Sequence, residues 1–317
     1  MMNKNPAQWK CLMLIFAVVV HADDFNWGVT EKFGGEALAT SMTKNTEIPL
    51  NMATSTKEEE ALRQIFSSNS LRRIKERHAW MSDAHSEGSH FKHKIRSSEI
   101  WALFQNTAVC PWTLDKNPPV DIRHDGGKWV CGLPELGVAK RTETAGCVVY
   151  SFGSHGDTAF EAEVRRQTDC EIHIFDPTSR PVSVGLGSMF HSLGVSGETN
   201  ADHGLGPMMT LQDIAGRLNH KNIDILKMDV EGSEFETFAS FFGGSGESLA
   251  SPVKIGQILL EVHPKRTAGA AAVNDMWDYL EMAGFRQFSI EPVTKTSGAQ
   301  VEVAFLHQDW TPDGWRK

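Results

Sequence analysis

From Cys147 onward, short apolar runs alternate with stretches of helical periodicity, and this alternation constrains the fold more than any other feature of the 317-residue sequence. Strands covered on both faces read as near-continuous apolar runs, and helical crossovers between them produce a parallel sheet. The pattern predicts strands at 147–152, 171–175, 188–193, 223–228, 257–262, 286–290 and 301–306. Helices are expected between them at 158–167, 210–218, 233–242 and 270–282. The fold class is therefore α/β, a seven-stranded, mostly parallel sheet with helices on both faces, in a domain spanning 109–317. Hydrophobic residues at 40% and charged residues at 22% suit an ordinary globular chain. The net charge of −9 argues against nucleic acid as a partner.

The N-terminal third reads differently. Lys4 and Lys10 precede an apolar run over 11–20, and Val20 and Ala22 then stand where a signal peptidase reads small residues. The run is about half the ~20 residues that a spanning helix needs. Residues 1–22 are thus expected to be a signal peptide, with an uncleaved anchor as the rival reading. The expected location is secreted or in the lumen of the secretory pathway, with no stable membrane span after cleavage. Residues 23–56, rich in Ala, Thr, Ser, Gly and Asn, suit a flexible stalk. Residues 57–108 form a helical extension, with helices expected at 57–78 and 97–108. Its basic run Arg72, Arg73, Lys75, Arg77 reads as a solvated helix face. The turn signal at Asp125, Gly126 and Gly127 predicts a hairpin running into 128–131.

Three constellations carry chemistry. The first predicted sheet strand runs into a turn containing Gly153 and Gly156 and then a helix, where free backbone N–H groups and the absence of a Cβ let a ligand approach closely. Asp176 closes the second strand 23 residues after Gly153, near the interval at which an acid meets a ribose diol. The run from Ile223 to Glu234 is a buried strand ending in Asp229, Glu231 and Gly232. Asp229 and Glu231 share a side if that strand continues, while Glu234 reads as a helix-start carboxylate favoured by the helix dipole.

Tyr150-Ser-Phe-Gly153, Ile174-Phe-Asp176-Pro177 and Leu226-Lys-Met-Asp229-Val-Glu231-Gly232-Ser-Glu234 together resemble the FkbM-like methyltransferases, and more closely their methyltransferase-like relatives of the eukaryotic secretory pathway. The stretches 125–131 and 257–263 share that likeness, which covers roughly 109–306; residues 23–108 match nothing comparable. The resemblance implies a class I methyltransferase fold whose last strand is antiparallel, and S-adenosyl-L-methionine as cofactor. It implies cofactor contacts at Ser151, Gly153, Gly156 and Asp157, with the two glycines facing the methionine portion. Asp176 would meet the ribose, Gly194 and Val195 the adenine, and Asp229 with Glu231 would border the path of the methyl group. Where better-known members carry Gly-Ala-Asn at the first turn, this chain has Gly153, Ser154 and His155.

Methyl transfer is an in-line displacement, so alignment and exclusion of water are the protein's main tasks. A base is needed only where the acceptor loses a proton during attack. Asp229, Glu231 and His263 are the catalytic candidates, with Glu261 at the same edge. No metal is assigned, Asp229 with Glu261 as a Mg²⁺ pair being the alternative. The expected activity is O-methylation of a small molecule or glycan. A methyltransferase-fold binding protein without catalysis is the rival; a nicotinamide oxidoreductase is disfavoured because the third glycine of the dinucleotide fingerprint is missing. If Asp176 grips the ribose, Asp176→Ala should weaken cofactor binding by about one to two decades and leave the fold little changed.

Removal of 1–22 would leave Cys110, Cys131, Cys147 and Cys170. Cys147 and Cys170 each lie six residues before the ligand-facing ends Gly153 and Asp176 of adjacent parallel strands. Strands ~4.8 Å apart fall within the reach of a disulfide, which predicts Cys147–Cys170 and leaves Cys110 to pair with Cys131 across the hairpin region.

Overall fold

The computed structural model describes residues 68–85, 100–118, 127–139, 146–200, 204–243, 253–264, 269–293 and 300–315. The expected signal peptide, the stalk and the first part of the extension lie outside the described residues. In chain order the elements are α1 (Ser68–His85), a single 3₁₀ turn (Ile100–Leu103), the strand pair β1 (Leu114–Asn117) and β2 (Lys128–Cys131), and α2 (Leu133–Val138). There follow β3 (Val148–Phe152), α3 (Ala159–Gln167), β4 (Glu171–Phe175), β5 (Ser188–His191), β6 (Gly194–Val195), β7 (Met208–Met209), α4 (Leu211–Arg217) and β8 (Asn222–Met228). The chain continues with α5 (Glu234–Phe242), β9 (Lys254–Val262), α6 (Gly269–Met282), β10 (Phe285–Pro292), β11 (Val301–His307) and a last hairpin of β12 (Trp310–Thr311) and β13 (Gly314–Trp315).

The seven long strands stand in the order β10-β11-β9-β8-β3-β4-β5. From β5 to β9 every pairing is parallel, and β11 alone runs against both of its neighbours. This is the class I methyltransferase sheet, antiparallel last strand included. Phe152 lies level with Phe175 and with Met228, and Met228 lies level with Leu260. The residues that follow, Gly153, Asp176, Asp229 and Glu261, therefore emerge at one edge of the sheet. Period-two alternation sorts the side chains. Tyr150, Phe152, Leu226 and Met228 pack against one face with Ile214, Phe238 and Trp277 of α4, α5 and α6. Val149, Ile172, Ile174 and Leu259 face Leu133, Phe160 and Val164 of α2 and α3.

Most predicted elements are found within a few residues of their expected places. Three expectations need correction. No helix spans 97–108: after one 3₁₀ turn, Thr107 and Ala108 donate their N–H groups to the Gln287 carbonyl, while the Gln287 amide donates to the Phe104 carbonyl. Backbone groups tied to β10 cannot also close helical turns. The basic run is not wholly solvated either, because Arg77 is buried and ion-paired with Asp278 (2.8 Å) and Glu281 (2.5 Å) of α6. Ile100, Trp101 and Phe104 belong to the main core, so this segment is part of the domain's packing. Finally, β5 stops at His191, and the chain makes a small parallel pair, β6 with β7, that the apolar pattern did not indicate.

Both expected disulfides are present. Cys147–Cys170 joins the starts of β3 and β4 with Cα atoms 4.6 Å apart, and Cys110–Cys131 anchors the segment before β1 to the end of β2. Peptide mapping of unreduced protein should return these two linked pairs and no crossed ones. The bridges close loops of 21 and 23 residues, so reducing each should lower stability by about 3 kcal/mol in the chain-entropy picture. Alkylatable thiols at Cys147 and Cys170 in native protein would refute the assignment.

Candidate active site

A cavity of about 540 Å³ opens at the carboxyl ends of β3, β4, β8 and β9, the edge at which open α/β sheets take their ligands. Its floor is set by Gly153. With φ of +74° it occupies the left-handed region, and a Cβ there would sit 1.7 Å from the Asp229 carbonyl oxygen. Only glycine fits at this crossing. Lys227 Nζ donates to the Gly153 carbonyl (2.9 Å) and, at 3.4 Å, to that of Phe152, fixing the end of β3 from the neighbouring strand. Burial pushes this ammonium below its ordinary pKa, with Glu161 offsetting part of the effect.

Asp176 is buried and its carboxylate is fully engaged. It accepts from His155 N (2.7 Å), Thr178 N and Oγ1 (both 2.8 Å), Ser179 N (2.9 Å) and Ser179 Oγ (2.8 Å), with Ser154 Oγ at 3.3 Å. Burial alone would raise its pKa, but the donors from Thr178, Ser179 and His155 outweigh it and hold the group at about 2. The acid at this position therefore shapes the loop that follows β4.

The opposite wall is a charged cluster. Buried Lys128, from β2, is ion-paired with Glu302 of β11 and stands 3.7 Å from Glu261 and 3.9 Å from Asp229. His263 Nε2 lies 3.6 Å from Asp229, 3.6 Å from Glu261 and 3.8 Å from Glu231. Its Nδ1 is 3.6 Å from Glu234 Oε1, just outside hydrogen-bond length. Glu234, the first residue of α5, is fully buried, accepting from Gly232 N (2.8 Å) and His263 N (2.6 Å). It is a helix-start carboxylate, as the sequence suggests, and it also clamps the end of β9 to the turn after β8. Burial would depress His263, but Glu234, Asp229 and Glu261 outweigh it and raise its pKa to about 9. Burial lifts Glu302 to about 7 despite Lys128, and burial together with Asp229 raises Glu261. Around this part of the cavity the carboxyl groups of Asp229, Glu231, Glu234, Glu261 and Glu302 outnumber the three cations Lys128, Lys227 and His263, a balance that suits a cationic ligand.

The sequence profile of a family described as "Methyltransferase domain" matches residues 55–307. The chain belongs to this methyltransferase family. The match begins well before the sheet, so the extension shares in the family pattern from residue 55 onward. Probable methyltransferase-like protein 24 of Rattus norvegicus is 28% identical over 142 residues, 42% of this chain, and the matched stretch spans only 38% of that protein's length. A solved structure, the Methanococcus jannaschii fibrillarin pre-rRNA processing protein, aligns with a TM-score of 0.35 at 10% identity, covering 55% of this chain and 68% of that one.

Within this methyltransferase domain, Gly153, Asp157, Asp176, Gly194, Val195, Asp229, Glu231 and His263 all line the cavity. Asp229, Glu231 and His263 come together, with Glu231 the exposed member on a strained turn (φ +53°). Two residues stand apart. Ser151 is fully buried in β3 and bonded to Glu161, and Gly156 sits in the turn without bordering the cavity. Sequence reasoning missed Lys128, Lys227 and Glu302. Lys227 lay within the recognised motif, two residues before Asp229, and a lysine inside an otherwise apolar strand is itself a signal, since a buried charge must have partners. Glu302, set among Val301, Val303 and Ala304, carried the same signal, but neither it nor Lys128 announced its partner, because only tertiary packing brings β2 and β11 together beside β9.

The saturated state of Asp176 changes the outcome expected on its removal. Asp176→Ala strands buried donors of His155, Thr178 and Ser179, so stability as well as ligand affinity should fall, stability by roughly 1–3 kcal/mol. Chemical denaturation checks this, and unchanged stability would mean that water replaces the carboxylate freely. The raised pKa of His263 makes a second prediction. A folded-state pKa of about 9 against 6.5 stabilises the protein fully below pH 6.5, and the benefit is lost as pH rises through 9. The stability gap between wild type and His263→Gln should therefore close by up to about 3 kcal/mol between pH 6 and 10. A gap independent of pH would show that folding leaves the imidazole's pKa unshifted.

Proposed function

We propose that the protein is an S-adenosyl-L-methionine-dependent methyltransferase that methylates an oxygen of a small molecule or glycan in the lumen of the secretory pathway, within the FkbM-like group. The observation that carries this reading is the carboxylate-rich wall of Asp229, Glu231 and Glu261 beside the Gly153 turn, in a cavity of about 540 Å³. A sulfonium is a cation, and a negative wall is its natural complement. The volume lies within the range of small-molecule and cofactor pockets. The two disulfides favour an oxidising compartment. Among the described residues no helix is long and apolar enough to cross a membrane.

The residues present fit the cofactor's parts. Val195 and Met208 offer an apolar wall for the adenine. A ribose diol would replace the hydroxyls of Thr178 and Ser179 on Asp176, while the backbone donors stay. When bound, the cofactor supplies an electrophilic methyl group. Gly153 and Lys227 fix the floor beneath it, and the Lys128 network holds Asp229 and Glu261 in place. His263 rests largely protonated near neutral pH, and a second cation beside it would favour release of that proton. The neutral ring can then accept the proton that an acceptor hydroxyl loses during attack. Asp229 and Glu231 hold the resulting imidazolium.

Calorimetry on the full chain tests this reading. S-adenosylmethionine and its demethylated product should both bind, NAD should give no heat, and Asp229→Asn should weaken the cationic cofactor more than the uncharged product. Transfer of labelled methyl to glycan and small-molecule fractions should then identify the acceptor. A folded protein that binds neither form of the cofactor would overturn the assignment and leave a non-catalytic binding role.

A further inference from the structure

A second polar cluster outside the cavity lining reaches from the amino edge of the sheet, at Glu171 and His220, up through His173 of β4 to His191 at the end of β5. Three histidines and a glutamate gather there, among side chains that are otherwise aromatic or aliphatic. His173 of β4 is buried, with Nε2 3.0 Å from Glu171 Oε1. His220, just beyond α4, has Nε2 3.7 Å from Glu171 Oε2. Each ring's other nitrogen is held by a partner. His173 Nδ1 is 2.9 Å from His191 Nε2, and His220 Nδ1 is 2.7 Å from the Tyr150 hydroxyl. Both Nε2 atoms are therefore turned toward the two oxygens of one carboxylate.

We propose that Glu171, His173 and His220 form a binding site for a divalent transition metal of the zinc class, separate from the catalytic cavity. Ligand atoms about 2.0–2.1 Å from a tetrahedral zinc stand about 3.3 Å from one another, and the spacings here, 3.0 and 3.7 Å, bracket that value. The candidate ligand atoms of all three residues lie within 4.8 Å of one another. Imidazole and carboxylate are the donors such ions prefer. Metal-ligating histidines characteristically give their second ring nitrogen a hydrogen-bond partner that fixes tautomer and orientation, the role His191 and Tyr150 fill. His220 Nδ1–H then donates to the tyrosine oxygen, and His173 Nδ1–H to His191 Nε2, leaving both Nε2 lone pairs for the ion. Glu171 is partly exposed and His220 half-buried, which gives the ion a path in and leaves a fourth position for water.

The two comparable clusters lack these features. Around Asp278 and Glu281, Arg77 already supplies the cation. At the cavity, His263 Nδ1 has no hydrogen-bond partner to orient the ring. An ion held by Glu171, His173 and His220 would tie the start of β4, next to the Cys147–Cys170 bridge, to the end of α4. It would stabilise the domain from the edge opposite the ligand.

Chelator-stripped full-length protein, titrated with Zn²⁺ by calorimetry and with Co²⁺ by visible absorption, tests the site. One equivalent should bind per chain, with a Co²⁺ spectrum of low coordination number and a higher melting temperature. His220→Ala and Glu171→Gln should each weaken binding at least tenfold, and Tyr150→Phe by about tenfold through loss of the orienting partner. Glu171→Gln keeps the shape of the side chain, so it decides the matter if His220→Ala does not fold. Three outcomes overturn the site: no ion bound by folded wild type, full affinity retained in Glu171→Gln, or loss of the ion on Glu231→Gln instead, which would put the metal in the cavity.

Discussion

The close approach of β3 and β8 at their carboxyl ends is the contact on which the rest depends. Gly153 and the Asp229 carbonyl occupy space that no Cβ can share. The Asp229 N–H donates to the Phe152 carbonyl, and Lys227 reaches across to the carbonyl of Gly153. This crossing levels the strand ends and aims Asp229 at the cavity. It also fixes where β9 must end, since β9 pairs with β8 in register and brings Glu261 and His263 to the same edge. One glycine and one buried lysine thus position acids from separate strands.

Charge is the second organising principle. Burying this many carboxylates would be costly without cations of fixed position, and the chain supplies Lys128 from β2, Lys227 from β8 and His263 from just past β9. The carboxyl groups that remain in excess would complement a cationic ligand. Because the cluster is shared among four strands, a change at one member moves the proton affinity of the others. Burial raises Glu302 and Glu261, with repulsion from neighbouring carboxylates adding to it, while those same carboxylates raise His263 against its own burial.

The segment before the sheet is part of the same structure. Arg77 pairs with acids of α6, Trp101 and Phe104 pack at a tilt against Trp277, and Gln287 takes the backbone of 104–108 as an edge partner. The strand pair β1–β2 carries Lys128 into the charged cluster, and the Cys110–Cys131 bridge secures it there. The hairpin is therefore a wall of the site.

The sequence by itself determined the sheet, its helices and the edge at which the cavity opens, because strand and helix periods are local and survive without tertiary information. The residues at that edge were equally legible: Gly153, Asp176 and Asp229 each follow an apolar run that names its own end. The Cys147–Cys170 bridge was readable from equal offsets on adjacent strands. Tertiary structure alone decided the rest. Whether Asp176 has lone pairs to spare depends on a loop folding back on it, and whether Arg77 is solvated depends on α6 lying beside α1. Lys128 and Glu302 meet only because β11 inserts between β9 and β10, and such pairings across more than 170 residues leave no trace in a local pattern.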